Sequence, residues 1–250
     1  AQAYADNVPI LYLPGGPPVA SRSVQPNFSP ARTYESVSVF SEVIFQPSQV
    51  TAVMRRAFHA LRNGRPGPVI VEIPQDIGAM EVDDDILASY SPPKRHRFAP
   101  DQEDVTEAVR LLTSAKKPVI WSGMGVLLSG ATKELQEFAE LMEIPVYCTM
   151  PGKSGFDQRH PLSLGSGSAA TSKEAWEWLQ ESDVLLGVGS SLTRTSYGQP
   201  IPDGKLMIHN TETISDLNKD FAVDVGLVGD AKLTLEKLIS EAKQQLGEGG

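Results

Sequence analysis

The residues best placed to do chemistry in this chain are glycines at the ends of short apolar runs, with hydroxyls and one arginine behind them. Ser122-Gly-Met-Gly125 follows the run Pro118-Val-Ile-Trp121, and a helical pattern begins after Ser129-Gly-Ala131. Without a Cβ, Gly123 and Gly125 let backbone N–H groups approach an anionic group at a helix start. The same glycines also suit a turn that simply needs positive φ. A second run, Leu186-Gly-Val-Gly189, leads into Ser190-Ser-Leu-Thr-Arg-Thr195. Two such exits side by side would make a mononucleotide cradle, in which Arg194 pairs with a phosphate or stacks on a ring. Arg194 reads equally well as a surface cation. His209-Asn-Thr211 ends a third run, where Asn210 or Thr211 could meet a ribose hydroxyl. Gly229-Asp230 ends a fourth, and Asp230 serves either there or as the N-cap of the last helix.

No catalytic constellation accompanies these glycines. His59, His96, His160 and His209 stand apart, with no second His or Cys at metal-ligand spacing. The chain has no G-x-S-x-G, no full G-x-G-x-x-G and no G-x-x-x-x-G-K-[ST]. Its densest carboxylates, Asp83-Asp-Asp85, fall in a stretch that reads as linker. Cys148 reads as a small buried hydrophobe.

The elements that must position these residues alternate. Residues 8–13 read as a strand, broken by Pro14-Gly-Gly-Pro-Pro18, and 19–35 as an irregular loop. A helix is expected over 48–61, with Ser48 as N-cap, Val50, Val53, Met54, Ala57, Phe58 and Leu61 on one face, and Gly64 as its stop. Val69, Ile70, Val71 and Ile73 form a strand covered on both faces, closed by Pro74. Residues 83–100, with Pro92, Pro93 and the basic cluster at 94–97, read as an extended linker. Beyond it, helices are expected through Val105, Val109 and Leu112, over 131–142, over 172–181 and over 231–244. Strands are expected at 118–121, 144–149, 184–188, 205–209 and 225–228. This alternation predicts an α/β fold with a doubly wound parallel sheet of Rossmann type, preceded by a partial α/β unit.

Composition bounds the function. The chain has 250 residues, of which 40% are hydrophobic and 21% charged, as in ordinary globular domains. One cysteine excludes a disulfide framework and fits a reducing compartment. There is no secretory leader pattern at the start and no apolar run of membrane-spanning length. The expected location is the cytoplasm. The net charge of −9 lies entirely in residues 101–250, because residues 1–100 carry nine cations and nine anions. That distribution suggests two units and argues against a nucleic-acid partner, which needs a basic stripe.

The run Gly64-Arg-Pro-Gly-Pro-Val-Ile-Val-Glu-Ile-Pro-Gln-Asp76 resembles the closing strand of the pyrimidine-binding domain in thiamine diphosphate enzymes of the acetolactate synthase type. Gly15-Gly-Pro-Pro18 and Arg55-Arg-Ala-Phe58 are similar to the same domain. Lys117-Pro-Val-Ile-Trp-Ser-Gly-Met-Gly-Val-Leu-Leu-Ser-Gly-Ala131 resembles the opening of the central domain of these enzymes. Ile144-Pro-Val-Tyr-Cys-Thr-Met-Pro-Gly-Lys-Ser-Gly-Phe156, with His160-Pro-Leu-Ser-Leu-Gly165 after it, is similar to that domain too, and Asp183-Val-Leu-Leu-Gly-Val-Gly189 and Val223-Asp-Val-Gly-Leu-Val-Gly-Asp-Ala231 complete the family order.

The resemblance implies that residues 1–82 are the C-terminal part of the pyrimidine-binding domain, 83–100 a linker and 101–246 the central domain. It implies a parent that is a 2-oxo acid carboligase or decarboxylase, working with thiamine diphosphate and Mg²⁺ as a homodimer or homotetramer. Residues 9–45 would then border a subunit interface. The activating Glu would lie ahead of Ala1. Gly229-Asp230 followed by Ala231 is not the family's diphosphate motif, so this chain by itself is expected to be inactive. Central domains of the family hold FAD, ADP or nothing. Residues implied as cofactor-binding here are Gly123, Gly125, Thr149, Met150, Gly165, Gly189, Ser190, Arg194, Asn210, Thr211, Gly229 and Asp230. Three runs depart from the family pattern: Gly165-Ser-Gly-Ser-Ala169 lacks a His or aromatic, His209-Asn-Thr-Glu212 replaces an acidic pair, and Val39-Phe-Ser-Glu-Val43 lacks a Lys. They point away from flavin and from acetolactate synthase activity proper, toward a carboligase or decarboxylase of unassigned substrate. The alternatives are a non-catalytic FAD- or ADP-binding module and a structural spacer.

Overall fold

A parallel sheet buries each of its strands between neighbours and helices, so its strands read as continuous apolar runs. Val69–Pro74 shows this pattern, with five of its six residues buried. The computed structural model describes residues 1–168 and 170–247, so Ala169, the last residue of the Gly165 run, lies outside the described residues. The chain divides into two units, one ending at His96 and the other starting at Arg97.

The first unit begins with a short helix α1 (Gln2–Ala5) and the two-residue strands β1 (Leu11–Tyr12) and β2 (Gly15–Gly16). A further short helix α2 (Pro30–Thr33) precedes β3 (Phe40–Val43), helix α3 (Val50–Arg62) and β4 (Val69–Pro74). β1, β2 and β3 all pair in parallel with β4. Pro14-Gly-Gly does not end the pairing as expected: Gly15 and Gly16 continue beside Ile73 and Pro74. Helix α3 starts two residues later than expected. A reciprocal cap between Gln46 and Gln49, around a 3-10 turn with Pro47 at its start, replaces the expected Ser48 cap. Val53 and Ala57 of α3 pack on Val69, Val71 and Ile44. Short helices α4 (Gln75–Gly78) and α5 (Asp84–Ala88) follow. The acids read as linker open α5, where Asp84 and Asp85 in the first turn suit the positive end of the helix.

The second unit runs α6 (Gln102–Ser114), β5 (Pro118–Ser122), α7 (Gly125–Ser129), α8 (Thr132–Met142), β6 (Val146–Thr149), β7 (Ser163–Gly167), α9 (Lys173–Glu181), β8 (Val184–Val188), β9 (Leu206–Thr211), β10 (Val225–Val228) and α10 (Ala231–Leu246). Its six parallel strands lie in the order β10-β9-β8-β5-β6-β7. Alternation along each strand sends side chains to two cores. Ile120, Leu186, Ile208 and Leu227 face α6, α8 and α10, where Phe138, Leu135, Leu235 and Leu238 are fully buried. Val119, Trp121, Leu185 and Met207 face α9 through Ala175 and Leu179. Each large apolar side chain buried here contributes on the order of 2 kcal/mol.

Candidate functional site

In a doubly wound sheet the ligand crevice opens at the carboxyl ends of the strands where the winding reverses. Here β5 leads to β6 and β7 on one side, and the chain then returns to place β8 on the other. The switch point therefore lies between the exits of β5 and β8, which carry Gly123, Gly125, Gly189 and Ser190.

The two exits are packed backbone against backbone. A Cβ on Gly125 would lie 2.6 Å from the Gly189 Cα, and one on Gly189 would lie 2.7 Å from the Val126 N. Gly189 also has φ +57. Gly152 enters the same contact, since a Cβ there would sit 2.7 Å from the Ser122 carbonyl oxygen. The glycine pattern thus records close approach of three turns, of which the sequence suggested only two. The glycine N–H groups at these exits are engaged internally. Gly123 N–H donates to the Val188 carbonyl at 2.9 Å and Gly125 N–H to the Gly189 carbonyl at 2.8 Å. Gly189 N–H donates to Asn210 Oδ1 at 3.1 Å.

Asn210 is fully buried. Its Nδ2 lies within hydrogen-bond distance of the Leu227 carbonyl, the Gly229 carbonyl and Thr234 Oγ1, at 2.9, 3.0 and 2.9 Å. It ties the exits of β8 and β10 to α10 and has no polar atom left facing solvent. Thr211 is buried too, and its hydroxyl donates to Asp216, which pairs with Lys219 at 2.9 Å. Neither side chain is presented to a ribose. Asp230 caps α10, accepting from the N–H groups of Lys232 and Leu233. Gly229 is required by the chain crossing over it, because a Cβ would meet the Phe98 carbonyl oxygen at 2.8 Å.

Arg194 is drawn elsewhere. Its guanidinium stacks over Phe221 at 4.6 Å from the ring centre and lies 3.7 Å from Asp203. With Lys205, Met207 and Asp220 it lines an open cleft of about 200 Å³ beside the start of β9, away from the strand exits. Three of the implied residues sit on the rim near β6 and β7. Thr149 ends β6 and its hydroxyl accepts the Gly152 N–H; Met150 is half exposed; Gly165 lies within β7 with φ +80.

Two polar residues that sequence reasoning passed over are fully buried. Glu72 lies inside β4, and a Cβ on Gly16 would run into its carboxylate. Burial pushes its pKa up, but the Arg22 guanidinium, the Ala31 N–H and the Ser29 hydroxyl outweigh burial and hold it below the usual carboxylate value. The signal available in sequence was one acid inside an apolar strand. His209, read as isolated, lies within β9 with Nε2 2.7 Å from the Ser190 carbonyl oxygen.

The strand order and the position of the switch point define a doubly wound parallel α/β domain. A family model described as "Thiamine pyrophosphate enzyme, central domain" matches residues 105–238, and the chain belongs to that family. It is 32% identical over 249 residues to a protein named "Probable acetolactate synthase large subunit" from Methanococcus aeolicus, covering 96% of this chain and 42% of that protein. It is 30% identical over 248 residues to "Glyoxylate carboligase" from Escherichia coli O157:H7, covering 97% and 42%. The chain therefore spans less than half the length of these curated relatives. Among solved structures, benzoylformate decarboxylase from Polynucleobacter necessarius shares the fold with a TM-score of 0.78 at 21% identity, covering 95% of this chain and 45% of that one.

Two groups were expected of such a chain, thiamine diphosphate with Mg²⁺ and FAD or ADP. For thiamine diphosphate with Mg²⁺, no cluster of three or more His, Cys, Asp or Glu among the described residues could hold a metal ion. The chain also lacks a Gly-Asp-Gly motif. For FAD or ADP, the glycine N–H groups at the switch point and the Asn210 amide are already satisfied by the protein. Neither group fits these positions.

Proposed function

We propose that this chain is part of a thiamine diphosphate-dependent 2-oxo acid carboligase or decarboxylase. In this reading residues 1–82 are the latter half of the pyrimidine-binding domain, 83–100 the connection and 101–246 the central domain. The observation that carries it is a match that spans both units, to proteins named acetolactate synthase and glyoxylate carboligase. The substrate class is a small 2-oxo acid, which loses carbon dioxide and passes its remaining carbons to an acceptor or a proton. The bound cofactor supplies that chemistry. This chain's residues supply a rigid body: Asn210 locks two strand exits to α10, and the three glycine turns close the switch point. The chain alone is inactive in this reading.

The central domain then acts as a scaffold. A nucleotide held by it would have to be gripped at the rim, by Thr149, Met150 and Gly165, and not by the glycine turns. We place the whole protein in the cytoplasm as a homodimer or homotetramer, with neither nucleic acid nor membrane as partner. The net charge of −9 supports the first exclusion. Among the described residues, no helix is long and apolar enough to cross a membrane.

Sequencing the gene on both sides of this segment tests the proposal. It requires a Glu codon in a strand-end context upstream and a Gly-Asp-Gly motif with a following Asn downstream. Their absence would remove the cofactor, and with it the activity.

A further inference from the structure

His209 is fully buried within β9. Its neighbours across the sheet are Gly187 on β8 and Gly226 on β10, which give the ring room. Leu192 packs over Gly187 and Leu217 over Gly226, so apolar side chains roof both flanks. The imidazole Nε2 is 2.7 Å from the Ser190 carbonyl oxygen, while Nδ1 is buried with no hydrogen-bond partner. The tautomer that fits carries its proton on Nε2 and donates it to Ser190.

The turn that receives this bond is strained. Leu192 has φ +43, a left-handed conformation disfavoured for a side chain branched beyond Cβ. It is held there by burial, by its N–H donating to Ser190 Oγ at 3.2 Å, and by the grip of His209 on Ser190. Adjacent β9 residues thus hold consecutive residues of the β8 exit: Asn210 takes the Gly189 N–H and His209 the Ser190 carbonyl.

We propose that His209 is a proton-operated latch on the β8 exit: the neutral ring holds the turn at 190–192 closed, and the imidazolium opens it. A second proton must go to Nδ1, where nothing accepts it, and it brings a full charge into an apolar chamber. The charge reaches water only if the turn lifts, and lifting also relieves the strain at Leu192. The charged groups acting on the ring are Asp216, which favours the charge, and Lys219, which opposes it. These two pair with each other at 2.9 Å and largely cancel. Burial therefore dominates, and it lowers the pKa of the ring below the ordinary histidine value. The latch makes His209 a positioning residue, and it stands whether or not a nucleotide binds at this domain.

The test is amide hydrogen exchange of the full chain, corrected for intrinsic rates, between about pH 8 and about pH 5, alongside His209→Gln. Gln can still donate to the Ser190 carbonyl but does not titrate. In the wild type, protection of the amides of the turn at 190–192, where the buried Leu192 N–H is hydrogen-bonded to Ser190 Oγ, should fall about ten-fold toward the acid end, while α10 keeps its protection. In His209→Gln the same amides should show no pH dependence. A pH-independent wild type, or an equal response in both proteins, would overturn the latch. If the variant does not fold, the wild-type imidazole is titrated by nitrogen NMR beside the Leu192 amide. Protonation of the ring without loss of Leu192 protection overturns the proposal equally well.

Discussion

The Asn210 amide lies within hydrogen-bond distance of four partners on three elements. Asn210→Ala strands the Gly189 N–H and two carbonyls in a buried space. We expect a loss of about 3 kcal/mol, read as a lower urea midpoint with unchanged slope. Gly125→Val should destabilise the same strand exits for a steric reason. Its added carbons would collide with Gly189 and damage the fold whether or not a ligand binds. Glu72 gives a residue-scale prediction in the first unit. Its pKa is held below 4.5 in the folded chain, so its contribution is full above that value and is lost as pH falls through the folded pKa. Glu72→Gln leaves Arg22 without its counter-charge and should cost about 3 kcal/mol at neutral pH. The amides of β4 should exchange faster in the variant, and acid should destabilise the variant less than the wild type. Equal acid sensitivity in both would contradict this account of Glu72.

At the scale of elements, legibility followed periodicity. Helices α6, α8, α9 and α10 show apolar residues at helical spacing over nine or more residues, and strand β8 is buried at every position. These were readable because burial demands the pattern. Strands β2 and β7 were not. Gly15-Gly16 and Ser163-Leu-Gly-Ser-Gly167 lack side chains with a preference to reveal, and only pairing with β4 and β6 defines them. The site was legible as a place but not as a chemistry. The sequence pointed to glycines at strand ends, yet it could not show that Gly123, Gly125 and Gly189 face one another rather than a ligand. Nor could it show that Arg194 turns to Phe221. For Asp230 the open choice is informed by geometry: its carboxylate accepts two N–H groups of the first turn of α10. Asp230→Ala should cost about 1 kcal/mol, and Asp230→Ser should recover most of it, as thermal or urea unfolding would show. No recovery by Ser would mean that the nearby Arg97, 3.9 Å away, matters more than the cap.

On the scale of the whole molecule, several large apolar side chains of the first unit are exposed. Tyr12, Leu13, Val24 and Phe28 are each about half exposed or more, and all lie in the segment at 9–45 expected to border a subunit interface. Apolar surface of this kind is what the proposed subunit interface would cover. The chain by itself should therefore associate, and light scattering should give a mass above 27.0 kDa that rises with concentration. A monodisperse monomer throughout would count against the interface. The proposed activity belongs to the whole protein: decarboxylation of a 2-oxo acid with thiamine diphosphate, with this domain as a scaffold. The most direct measurement is carbon dioxide release from a panel of small 2-oxo acids by the full-length protein with thiamine diphosphate and Mg²⁺, with and without added FAD or ADP. The account predicts turnover of at least one acid that requires thiamine diphosphate and is indifferent to both nucleotides. No turnover of any acid would contradict the assigned reaction, and turnover strictly dependent on FAD or ADP would contradict the scaffold role of the central domain.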